Sequence, residues 1–138
     1  MKSAAVISRV GGICCLLLIF AGCGERTVTG GTPGTLTIEG EKYAEIQVTI
    51  HRVEGEQMKT MGFGVTDAEG KFLLLKNGAT GKLFLEQGEY RVTVETIGPN
   101  VAIPSEYLKA ETTPLRVVWT GKEEQLSLNV QPNESSEE

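Results

Sequence analysis

The chain has 138 residues and a formal net charge of −5, a length that suits one domain and is short for two separate cores. An acid excess argues against a nucleic-acid partner and against electrostatic attraction to anionic lipid headgroups, both of which need a basic face. All three cysteines, Cys14, Cys15 and Cys23, fall in the N-terminal segment, so the rest of the chain has no disulfide and must hold together by core packing alone.

Met1–Arg9 carries Lys2 and Arg9, Val10–Phe20 is an apolar run, and Ala21-Gly22 places two small residues before Cys23. Charged, apolar and small-residue regions in that order make a secretory signal. The run is too short for a membrane span, which needs roughly 20 residues, so an uncleaved anchor is the weaker alternative. Ile19-Phe20-Ala21-Gly22-Cys23 resembles the lipobox of bacterial lipoproteins. That resemblance implies cleavage after Gly22, a diacylglyceryl group on the Cys23 thiol and acyl chains such as palmitate. The membrane then becomes a partner through lipid on Cys23. A single chain anchors marginally, while two or more hold stably. Gly24 rather than Asp follows the cysteine, which by the same resemblance implies the outer membrane where a cell has two. An ordinary secretory signal with an incidental cysteine is the alternative. Residues 1–22 would leave with both of their positive charges, taking the net charge from −5 to −7.

Residues 23–34 are rich in Gly and Thr and read as a flexible tether. From residue 35 the pattern is β throughout, with Gly or Pro breaking almost every helical window. Thr35–Glu39 alternates around Leu36 and Ile38, and Ile46, Val48 and Ile50 continue an inward face. Lys59–Thr66 is a third strand carrying Phe63 and Val65. Asp67-Ala68-Glu69-Gly70 is a strong turn, since Asp bonds its own backbone and Gly accepts positive φ. Lys71–Lys76 follows with Phe72 and Leu74. Glu89–Ile97 alternates Tyr90, Val92 and Val94 against Arg91, Thr93 and Glu95. Pro99–Pro114 is a long connection expected to cross between sheets. Leu115–Trp119 and Gln125–Val130 are expected to form a terminal hairpin around Gly121-Lys122. The expected architecture is an all-β Greek-key sandwich of about seven strands over residues 35–131, with 132–138 an acidic disordered tail.

Four segments carry a second resemblance: Gly34–Gly40, Ile46–Ile50, Gly64–Phe72 and Gly88–Val92. Together they resemble the carboxypeptidase regulatory-like domain, which implies a transthyretin-like (prealbumin-like) sandwich. Ile103–Tyr107 and Thr113–Leu115 look like a subset of short bacterial lipoproteins carrying that domain alone. The resemblance implies a tight hairpin at Asp67 and Gly70, with Phe72 plugging the core. At Gly88-Glu89-Tyr90 it implies a tyrosine corner, with a buried ring and a bonded hydroxyl. These are structural motifs and carry little about activity.

Candidate chemistry is sparse. His51 is the only histidine, and its sequence neighbours Thr49 and Arg52 supply neither a metal site nor a general-base partner, so it reads as a solvent-facing strand residue. Asp67 and Glu69 fall short of a calcium loop, which needs more oxygen ligands at alternate positions. Gly30-Gly31 precedes no helix and makes no phosphate loop. Trp119, Tyr43 and Tyr107 are candidates for an aromatic glycan-binding face, with Trp119 equally readable as core. The sequence therefore points to a non-catalytic envelope lipoprotein without metal or cofactor. Its expected role is structural or protein-interacting, with carbohydrate or polymer binding as the alternative.

Overall fold

A computed structural model describes residues 31–131. The part of the expected tether that falls on residues 23–30, the signal segment 1–22 and the tail 132–138 lie outside the described residues.

The described chain is a β-sandwich of two sheets. Eight strands form it: β1 (Pro33–Ile38), β2 (Ile46–Glu54), β3 (Gln57–Val65), β4 (Lys71–Leu73), β5 (Leu75–Lys76), β6 (Gly88–Thr96), β7 (Arg116–Trp119) and β8 (Leu126–Val130). One sheet runs β4-β1-β8 and the other β5-β3-β2-β6-β7. The single strand expected over Lys71–Lys76 is split at Leu74, where the chain leaves the smaller sheet as β4 and joins the larger as β5. This split raises the number of strands above the expected seven.

The core fills the space between the sheets. Leu36 and Ile38 of β1, with Leu126, Leu128 and Val130 of β8, face Ile46, Val48 and Ile50 of β2 and Tyr90, Val92 and Val94 of β6. These are alternate residues on each strand, as a period of two requires when one face is buried. Many are β-branched, which suits a pleated, packed surface.

Four features depart from what the sequence pattern alone suggests. The inward face of β3 is Gly62, Gly64 and the adjoining Thr66, while Phe63 is half-buried and Val65 exposed on the outer side. The reason is steric. A Cβ at Gly64 would lie 2.8 Å from the Phe72 ring and 3.2 Å from the Phe72 Cβ, so Phe72 already occupies the volume above β3. Second, β7 and β8 are not a hairpin. β7 pairs with β6, the chain then crosses the sandwich through residues 120–125, and β8 pairs in parallel with β1. Third, the Pro99–Pro114 connection does not cross between sheets. It returns to the same sheet, because β6 and β7 are antiparallel neighbours, and its buried Tyr107 packs into the core on the way. Fourth, order begins before residue 35. Thr32 donates from its N–H to the Leu83 carbonyl, accepts from the Leu74 N–H, and its hydroxyl accepts from the Leu85 N–H.

Candidate functional site

The turn and corner residues have the following geometry. Asp67 Oδ1 accepts from the N–H groups of Glu69 and Lys71, both at 2.9 Å. Gly70, at φ +72, donates to the Asp67 carbonyl, and its own carbonyl accepts from Leu36 N–H at 2.8 Å. The turn thus closes locally and is tied to β1. Glycine is required at 70 for its left-handed backbone and because a Cβ there would approach the Leu36 carbonyl. Tyr90 is buried, and its hydroxyl donates to the Glu86 carbonyl at 2.7 Å. Burial pushes the phenol pKa up, partly offset by the Arg52 charge. Arg52 sits alongside, paired in register with Tyr90, and bridges to Glu86 at 3.2 Å.

Of the aromatics considered for glycan contact, Trp119 and Tyr107 point into the core and Tyr43 is half-buried against it. They do not form an exposed aromatic face. Tyr107 instead ties down the end of β8, exchanging hydrogen bonds between its hydroxyl and the backbone of Gln131.

His51 is half-buried rather than fully solvent-facing. Its Nδ1 lies 3.0 Å from Thr60 Oγ1 and its Nε2 lies 2.9 Å from Thr93 Oγ1. A bulge in β3 makes this possible. Ile50 pairs with Gly62 but His51 pairs with Thr60, leaving Met61 as the extra residue. Bulges of this kind re-aim side chains, and here a hydroxyl takes the place beside the imidazole. Burial lowers the His51 pKa, and the nearby Glu111 carboxylate counteracts part of that shift. A neutral ring satisfies both contacts, donating from one nitrogen and accepting at the other.

Next to His51 in register comes Arg91 of β6, and next to Arg91 comes Arg116 of β7. All three lie on the outer face, since Tyr90 and Val92 on either side of Arg91 are buried in the core. Arg91 Nε is buried without a hydrogen-bond partner. Arg52 pairs with Glu86, and no carboxylate among the described residues is in ion-pair contact with Arg91 or Arg116. Residue-by-residue reading of the sequence missed this row. Its neighbouring members are 40 and 25 positions apart in the sequence, and only strand register brings them together.

An apolar cleft of about 530 Å³ lies where the chain passes from β4 in one sheet to β5, the neighbour of β3 in the other. Phe63, Val65, Leu73 and Leu75 line it, together with Pro33 and the polar Asp67, Lys71 and Gln125. It falls in the size range of small-molecule pockets and has the mainly apolar lining they share. No group of three or more His, Cys, Asp or Glu side chains among the described residues is placed to hold a metal ion. No helix among them is long and apolar enough to cross a membrane.

The fold defines an all-β sandwich of two sheets, with a cleft at one edge and a basic row on its outer face. The chain matches no protein-family model, and a search among curated proteins gives no match either.

Proposed function

We propose that the chain is a non-catalytic, lipid-anchored module of the bacterial cell envelope. In this reading a carboxypeptidase regulatory-like sandwich is held at a membrane by acyl chains on Cys23 and offers its surface to an envelope partner. The observation that carries the reading is the order of residues 1–23: a charged start, an apolar run and Ala21-Gly22 before a cysteine.

The position of the cleft supports it. Pro33 lines the cleft and follows Cys23 by ten residues, a span of at most about 33–36 Å when fully extended. An acylated Cys23 therefore keeps the apolar cleft close to the bilayer, where an apolar segment of a partner protein would meet it. The outer edge of β7 offers a second route, because a strand added there would continue the larger sheet.

The reading is tested by fractionating cells that express the chain with and without Cys23→Ser. The parent should sediment with membranes and the variant should be released to the soluble fraction. Equal distribution of the two would refute lipid anchoring.

A further inference from the structure

We propose that Arg91 and Arg116 form a binding site for one oxyanion, a phosphate or carboxylate group, on the outer face of the larger sheet. This inference does not depend on acylation of Cys23. The two arginines stand directly opposite one another on β6 and β7, a placement that brings Cβ atoms to about 4.5–5.5 Å. Like charges so placed destabilise a sheet, and the unpaired buried Nε of Arg91 adds a desolvation penalty. An anion held by the two guanidinium groups offsets the like-charge repulsion. Each group offers a planar fork of N–H donors that fits the oxygens of a carboxylate or phosphate.

The surroundings favour an anion from elsewhere over a neighbouring acid. Glu89 shares the face but is in register with Val118, and Glu111 lies towards His51; neither is within ion-pair distance of Arg91 or Arg116. His51 is held by Thr60 and Thr93, which fixes one end of the row and keeps the imidazole from turning onto Arg91. Val118, 71% exposed and two residues along from Arg116, puts an apolar contact beside the charge. Two sources present the required chemistry. One is a diffusible oxyanion. The other is the chain's own C-terminal segment, in which Glu134, Glu137 and Glu138 follow Gln131, itself bonded to Tyr107 on the connection that leads to Glu111 and His51.

The experiment is a titration of the full chain with inorganic phosphate, followed by the Arg91 Nε–Hε resonance, against sodium chloride at matched ionic strength to remove general screening. R116Q and the triple variant E134Q/E137Q/E138Q are titrated alongside, with circular dichroism checking that each is folded. A saturable shift in the parent that is about tenfold weaker or more in R116Q supports the site with a diffusible ligand. A silent parent with a saturable shift in the triple variant supports the site with the tail as occupant. No saturable shift in either the parent or the triple variant, or a saturable shift in the parent that is unchanged in R116Q, overturns the proposal.

Discussion

Replacing Gly34 with alanine probes the joint between the two sheets, because the sign of the effect is decided by one contact. Gly34 of β1 pairs with Phe72 of β4 on one side and with Leu126 of β8 on the other. Its backbone is not left-handed, so alanine is conformationally acceptable there. With space available the substitution would stabilise by about 0.4–1 kcal/mol through a less flexible unfolded chain. There is no space: an added methyl would run into the far edge of the Phe72 ring, whose near edge is already against Gly64. The ring is buried at 3% exposure and has glycine beneath it in both sheets. Overpacking of this kind costs about 1–3 kcal/mol, so the net loss is about 1–2 kcal/mol. In a domain of this size that lowers Tm by about 4–16 °C. Thermal and urea denaturation of G34A, F72L and the double variant measure the coupling. The ring contact predicts that G34A is destabilising in the parent and that the loss shrinks by about 1 kcal/mol in the F72L background. A G34A protein as stable as the parent, or an equal loss in both backgrounds, would refute the packing assigned to Phe72.

Three further outcomes follow from the hydrogen-bonded and titrating groups. Tyr90→Phe should cost about 1 kcal/mol in urea unfolding, since it leaves the Glu86 carbonyl without its donor. Asp67→Ala should cost about 1 kcal/mol by releasing two backbone N–H groups, while Asp67→Asn, which keeps the accepting oxygen, should stay close to the parent. The lowered pKa of His51 means that the unfolded chain takes up a proton first as pH falls. The His51 contribution is therefore complete above about pH 6.5 and is lost as pH drops from there towards the folded pKa. An NMR titration should place the His51 midpoint below about 6.5. His51→Gln should remove that part of the stability slope, and a midpoint above 6.5 would contradict the burial described.

The sequence was most informative where burial repeats along one strand. Ile46, Val48 and Ile50, and Tyr90, Val92 and Val94, alternate with polar residues, so their inward faces could be read directly. The inward side of β3 was not legible, because alternation fixes a period but not a side. Its bulky residues alternate with Gly62 and Gly64, and the side chain filling the glycine face belongs to another strand. The supposed terminal hairpin had the right strands at the right spacing, but β8 takes its partner from the far end of the chain. The row of His51, Arg91 and Arg116 was hidden for the same reason. Nothing local marks it, and the bulge at Met61 that supplies Thr60 to the imidazole has no sequence signature of its own.

The most direct test of the account is the mass and N-terminal residue of the protein purified from bacterial membranes. A chain starting at Cys23 and carrying a diacylglyceryl group with its acyl chains is the predicted species. An unmodified thiol at Cys23, or a mature chain that starts at another residue, would contradict the anchoring on which the envelope role rests.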